Sequence, residues 1–236
     1  MGQEVLKQVQ ISSNFNVVCG VDKNTEGDYN FPIYSSTNDI KEAIQVIIDF
    51  SIPVASLNIL KYAEERNIPI VIATTGFSEE DLKVIENYSE KISVFKSANM
   101  SYEVNLMADL VAKMATKLPD SDIEIVEIHH NKKVDSPSGT ALLLADSINN
   151  ALDNKMTYEY NRQAKREKRS EKEIGIHSVR GGTVVGKHSV MFFGENESFE
   201  IVHTSDSKSV FAKGALKAAE FIVGQNAGLY SMKNLV

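Results

Sequence analysis

The chain has 236 residues, 42% apolar and 24% charged, with a net charge of −7. That is an ordinary balance for a globular protein able to bury one large core or two small ones. The negative charge argues against a general nucleic-acid binder, and no uninterrupted apolar run approaches the ~18 residues of a membrane span. The single cysteine, Cys19, excludes an internal disulfide and fits a reducing cytoplasm, and no signal peptide is visible.

Residues Gln3–Gln10 read as helical. From Asn16 to about Ile128, short β-branched runs then alternate with longer amphipathic stretches. Val17–Val21, Val46–Phe50, Ile68–Thr74, Ile92–Lys96 and Ile123–Ile128 are short, apolar and flanked by polar turns, so they read as buried strands. Asn38–Gln45, Pro53–Asn67, Glu79–Glu90 and Ser101–Leu118 read as helices between them. Pro53 suits a first helical turn, and Ser78 reads as an N-cap with Asp81 three residues on. The alternation predicts a parallel, doubly wound sheet of the nucleotide-binding (Rossmann-like) type.

Beyond Ser138 the pattern changes. A helix over Gly139–Leu152 precedes a basic stretch, Arg162 to Lys172, with six Lys or Arg against Glu167 and Glu171. That stretch reads as a solvated surface or as a rim attracting anions. Strand-like runs Ile174–Arg180, Thr183–Phe193 and Phe199–Thr204, with Gly181-Gly182 and the Gly194–Ser198 turn between them, predict an antiparallel meander. The last helix, Val210–Val223, offers Phe211, Ala215, Leu216, Ala219 and Phe221 as its buried stripe. The second half therefore reads as an α+β domain with an open sheet.

Chemistry concentrates in one loop, Glu127-Ile-His-His-Asn-Lys-Lys-Val-Asp-Ser-Pro-Ser-Gly-Thr-Ala141. A proton-transferring imidazole at His129 or His130, a cation at Lys133 and a helix start at Ser138-Gly139-Thr140 suit a small carboxylate substrate. Ser138 can cap that helix, while the amides of Gly139 and Thr140 lie at its positive end. Asp135 orients Lys133 or starts the turn before Pro137; the sequence leaves both open. A metal site is a weak reading, since the adjacent histidines lack i, i+4 spacing, and no Gly-x-Ser-x-Gly elbow supports a hydrolase. His177, His188 and His203 read as packing residues, and Arg180 as either a substrate-domain residue or a structural ion pair. Ala73-Thr-Thr-Gly-Phe77 and Ser97-Ala-Asn-Met-Ser101 each follow a predicted strand, at the edge where open α/β sheets bind ligands.

The His-His loop resembles the signature of the dihydrodipicolinate reductases, Glu-x-His-His-x-x-Lys-x-Asp-Ala-Pro-Ser-Gly-Thr-Ala, departing only at Ser136. Ala73–Phe77 resembles the family's Gly-Thr-Thr-Gly-Phe with Ala73 for the first Gly, and Ser97–Ser101 its Ala-x-Asn-Phe/Met-Ser. The likeness continues through Ser178–Gly182, Val185–Val190, Phe211–Ala219 and Gly228–Met232. It implies an NAD(P)H-dependent reduction of a cyclic dicarboxylate, 4-hydroxy-tetrahydrodipicolinate, in lysine and diaminopimelate biosynthesis. In that family's terms His129 and Lys133 are catalytic, and His130, Ser138, Gly139 and Thr140 bind substrate. Ala73, Thr74, Thr75, Ser97, Ala98, Asn99 and Met100 contact the nicotinamide half of the cofactor. The nucleotide domain is implied to span 1–100 plus 209–236, and a substrate and tetramerisation domain 101–208, the two closing around substrate in a homotetramer.

The family's glycine loop ends Gly-x-Met-Gly, which Met1-Gly2 resembles. The chain is therefore expected to begin at an internal Met, without the first strand and most of the phosphate loop. Poor cofactor affinity and stability would follow, with Gly2 the remnant of the cofactor loop. Asp22, at the end of a strand, suits the ribose hydroxyls of NADH, and neighbouring Lys23 the 2′-phosphate of NADPH, so use of both is expected. Two competing readings are a catalytically dead homologue acting as a binding or assembly subunit, and a reductase of another imino or keto acid.

Overall fold

A computed structural model describes all 236 residues. They form two compact units, Met1–Tyr102 with Ser209–Val236, and Glu103–Lys208. No helix is long and apolar enough to cross a membrane.

The first unit contains α1 (Gly2–Ile11), β1 (Gly20–Val21), β2 (Ile33–Tyr34), β3 (Ile47–Asp49), α2 (Pro53–Glu65), β4 (Ile70–Ile72), α3 (Glu79–Ser89) and β5 (Ser93–Lys96). After the second unit's α4 (Tyr102–Lys117), β6 (Asp122–His129), α5 (Gly139–Ala151), β7 (Thr157–Glu159), β8 (Glu173–Arg180), β9 (Gly186–Phe193) and β10 (Ser198–Ser205), the chain returns for α6 (Ser209–Ile222) and β11 (Gly228–Tyr230).

In the first unit, β11, β5, β4 and β3 form a sheet in that order, with every pair parallel. Helices cover both faces. Leu60, Ile70, Ile72, Ile85 and Val94 close the side of α2 and α3, while Val71, Phe95, Ala215, Ala219 and Ile222 close the side of α6. Pro53 stands in the first turn of α2, and Ser78 and Asp81 form a reciprocal capping box on α3. The small residues of α6 let it approach closely: a Cβ on Gly214 would fall 1.6 Å from the Met100 carbonyl oxygen.

β1 and β2 make a separate parallel pair. The expected strand Val17–Val21 shrinks to Gly20–Val21, because the amides of Val17, Val18 and Cys19 find no backbone acceptor. A 540 Å³ cavity borders this segment, lined among others by Val17, Val18, Asp22, Tyr29, Ile48 and Asp49. The helix expected over Asn38–Gln45 is absent; only a 3₁₀ turn, Thr37–Asp39, forms. Eight residues are too few to nucleate a helix unaided, and Ile40 buries against Tyr62 and Ile68 while Glu42 accepts from Tyr34.

The second unit's sheet is mixed, in the order β10-β9-β6-β8-β7. The predicted meander is corrected here. β6 lies between β8, its parallel neighbour, and β9, its antiparallel one, and only β9 and β10 form a hairpin. The Ile-rich strand β6 takes the middle, where it is covered by neighbours on both edges. Ile123, Ile125, Ile174, Val190 and Phe192 pack on one face against Val111, Leu144 and Ile148 of α4 and α5. The basic stretch is pinned down: Arg162 pairs with Glu173, Lys165 with Glu159, and Arg169 with Asp122 and Glu124.

Candidate active site

In the second unit, alternate residues of β6 share a face, which puts Glu127 and His129 together on the helix-covered side. The register sets Ser178 of β8 and His188 of β9 opposite Glu127, and Arg180 opposite His129. Glu127 has no exposed surface. Its Oε2 lies 2.6 Å from His129 Nδ1, both oxygens accept from Arg180 at 2.7 and 2.8 Å, and the amide of Ser138 donates to Oε1 at 3.1 Å. Burial alone would push this carboxyl up, but hydrogen bonds from Arg180, Ser178 and His129 outweigh it and hold it at about 2. Arg180 is thus a bidentate ion pair, and it also donates to the Asp135 carbonyl.

Ser138 caps α5 by accepting from the Ala141 amide, and the same hydroxyl meets His188 Nε2 at 3.0 Å. It is 2% exposed. Next to it, a Cβ on Gly139 would meet nothing within 4 Å, so there is open space beside the first residue of α5. Thr140 follows in the same first turn. Lys133 pairs with Asp135 at 2.9 Å, just before the bend at Ser136-Pro137, so Asp135 touches Lys133 and also stands at the turn. His130 follows β6 with its Nδ1 buried and unpartnered.

His188, fifty residues from Ser138, joins this cluster with its ring 5.1 Å from that of His129. Burial first, then the neighbouring His129, lowers its pKa from 6.5 to about 4. No local pattern announces such a contact, since strand pairing across the sheet creates it.

In the first unit, Phe50, Ala73 and Ala98 follow β3, β4 and β5. With Met1, Met100 and Phe211 they line a 210 Å³ pocket at the strands' carboxyl ends. Thr74 and Thr75 continue the loop after β4. The Ser97 hydroxyl donates to the Asn99 carbonyl, and Asn99 Oδ1 accepts the Ser101 amide. Gly2 opens α1, and a Cβ there would meet nothing. Asp22 follows β1 and caps the Asn24 amide, while Lys23 beside it is exposed. Sequence reading missed Asp49, a buried aspartate ending β3; Ser56 and Thr74 hydroxyls and the Ser51 amide donate to it. The signal was available, because a carboxylate closing an apolar run is out of place unless bonded.

One chain thus carries a parallel sheet with a pocket at its carboxyl edge, where open α/β sheets bind ligands, and a buried carboxylate–imidazole cluster beside a helix start. Residues 1–100 match the family model "Dihydrodipicolinate reductase, N-terminus" and residues 103–236 match "Dihydrodipicolinate reductase, C-terminus". The chain belongs to the dihydrodipicolinate reductase family. It is 52% identical over 236 residues to a 4-hydroxy-tetrahydrodipicolinate reductase of Caldanaerobacter subterraneus subsp. tengcongensis, covering 100% of this chain and 94% of that protein. A Clostridium tetani protein of the same name is 46% identical over 94% of this chain and 88% of its own. The fold matches a dipicolinate-bound dihydrodipicolinate reductase from Paenisporosarcina sp. TG-14, with TM-score 0.83, 25% identity, and 100% and 95% of the two chains covered.

Proposed function

We propose that this enzyme reduces 4-hydroxy-tetrahydrodipicolinate to tetrahydrodipicolinate, in lysine and diaminopimelate biosynthesis in the cytoplasm, at the expense of NADH or NADPH. The observation that carries the reading is the buried Glu127–His129 pair beside the open start of α5. A nicotinamide dinucleotide, when bound, supplies the hydride. The apolar walls of the first unit's pocket, Ala73, Ala98 and Met100 among them, suit its flat ring, and Thr74, Thr75, Ser97 and Asn99 of the same loops would hold it there. Asp22 would accept from the ribose hydroxyls of NADH, and Lys23 would face the 2′-phosphate of NADPH.

The substrate is a dianion, and the chain offers what it needs. The amides of Gly139 and Thr140 sit where the α5 dipole favours a carboxylate, and His130 has an unpartnered nitrogen for a further contact. Negative charge arriving on the unsaturated ring is met by the Lys133 ammonium, which donates the balancing proton, with His129 as general acid/base. The exposed apolar residues on the uncovered sheet face, with Val202 46% and Val179 45% exposed, support a homotetramer assembled through that face.

The test is oxidation of NADH and of NADPH with freshly synthesised substrate, on the wild type and His129→Gln. The expected loss of kcat is on the order of 10²-fold or more, with a smaller change in KM. Dipicolinate, which the Paenisporosarcina relative binds, should compete with the substrate. Equal turnover of the two proteins removes His129 from the reaction.

A further inference from the structure

We infer that Glu127 is the positioning residue for His129, fixing which imidazole nitrogen carries hydrogen and which faces the substrate. The inference rests on His129 being the proton-transferring group.

Glu127 and His129 are two residues apart on one face of β6, and Oε2 lies 2.6 Å from Nδ1. An ionised carboxylate only accepts, so hydrogen must stand on Nδ1. In the neutral ring the lone pair is then left on Nε2. That nitrogen faces Gly186, where even a Cβ would come within 3.2 Å. The carboxylate cannot turn away from His129, because Arg180 grips both oxygens and the Ser138 amide holds Oε1.

One buried group thereby ties three parts of the site together: the imidazole, the end of β8 and the first residue before α5. The helix start proposed to bind the substrate's carboxylate and an imidazole that takes up or returns a proton at Nε2 are held in a single register. His188 cannot substitute for His129, since its Nε2 is engaged by Ser138 and burial keeps it neutral.

The experiment reads the tautomer directly, through long-range ¹H–¹⁵N correlations of the His129 ring, together with kcat and KM for wild type, Glu127→Gln, His129→Gln and Ile125→Val. The wild type should show hydrogen on Nδ1, and Glu127→Gln a mixture, since a carboxamide both donates and accepts. Turnover of Glu127→Gln should fall about 100-fold with KM changed less than about threefold. Ile125→Val, buried on the same strand, should lose some stability yet keep the tautomer and turnover. Hydrogen on Nε2 in the wild type overturns the proposal, and this readout stands even if Glu127→Gln does not fold. So does a Glu127→Gln enzyme within about threefold of wild-type kcat, and if His129→Gln is meanwhile inactive, the reading of His129 survives. A fully active His129→Gln instead removes that reading itself.

Discussion

Ser138 Oγ stands 3.0 Å from His188 Nε2 and also accepts the Ala141 amide at 3.1 Å, so one hydroxyl both caps α5 and anchors a ring of β9. Ser138→Ala removes both functions. A lost N-cap costs about 1 kcal/mol and a buried partner left unsatisfied about 1–3 more. The urea midpoint should fall with m unchanged, corresponding to a loss of roughly 2–4 kcal/mol of stability. A change below about 0.5 kcal/mol would show that α5 starts without this cap.

The same ring sets an acid dependence of stability. Folded His188 stays neutral down to about 4 because it is buried, with His129 beside it, whereas the unfolded chain protonates near 6.5. The unfolded state therefore binds more protons between these values, and stability falls as pH drops through that window, at up to ~1.4 kcal/mol per pH unit. Glu127 acts lower. Burial raises its carboxyl, but Arg180, Ser178 and His129 together hold it at about 2 against 4.5. Its stabilising contribution is complete above 4.5 and is lost as pH falls from there towards 2. Denaturation at a series of pH values should show both losses, and His188→Gln should abolish only the upper one.

Gly214 carries a prediction for the first unit. A Cβ 1.6 Å from the Met100 carbonyl has nowhere to go, because the obstacle is backbone. Gly214→Ala must push α6 away from the loop Ser97–Ser101, at roughly 1–3 kcal/mol for an overpacked core. If that loop holds the cofactor as proposed, NADH binding, followed by fluorescence, should weaken more than binding of dipicolinate, the probe for the substrate site proposed in the second unit. Equal weakening of both would remove the loop from the cofactor's site.

Much of this was legible in the sequence, and what was not has physical causes. Isoleucine- and valine-rich runs gave β3, β4 and β5, since parallel buried strands need no alternation. Ser78 and Asp81 announced α3, because a capping box is entirely local. The loop from Glu127 to Ala141 gathered His129, Lys133 and the start of α5 within one short stretch of sequence. Strand order in the second unit was hidden: Gly181-Gly182 looks like a hairpin turn, yet β6 inserts between the strands it joins, a choice made by nonlocal packing. For the same reason neither the place of His188 beside His129 nor the bidentate hold of Arg180 on Glu127 could be read from spacing. The three-residue strands β7 and β11 carry too few residues for any period to show.

If Asp22 and Lys23 face the cofactor's ribose as proposed, they decide between NADH and NADPH. Asp22→Ala should weaken NADH roughly tenfold, the worth of a charge-assisted hydrogen bond, and NADPH less. Lys23→Ala should weaken NADPH preferentially, and wild-type affinity for NADPH should decline with added salt more than that for NADH, since Lys23 is exposed and screened. Identical KM changes for both cofactors in both variants would dissociate this pair from the ribose.

The sheet face turned away from α4 and α5 carries the prediction on assembly. Alternation along the strands places Val179, Val202 and Phe193 there, 45%, 46% and 40% exposed. On the same face Glu124 meets Arg169 and His177, over a Gly175 whose Cβ would lie 1.8 Å from the carboxylate. If copies of the chain bury this face against each other, Val202→Glu puts an unpaired charge into each interface, costing several kcal/mol per ion. Because Val202 is half exposed in the single chain, the fold itself should tolerate the change. Sedimentation should then show a tetramer for the wild type and smaller species for Val202→Glu, with unaltered circular dichroism. A variant that stays tetrameric places the interface elsewhere, and a monomeric wild type removes the tetramer altogether.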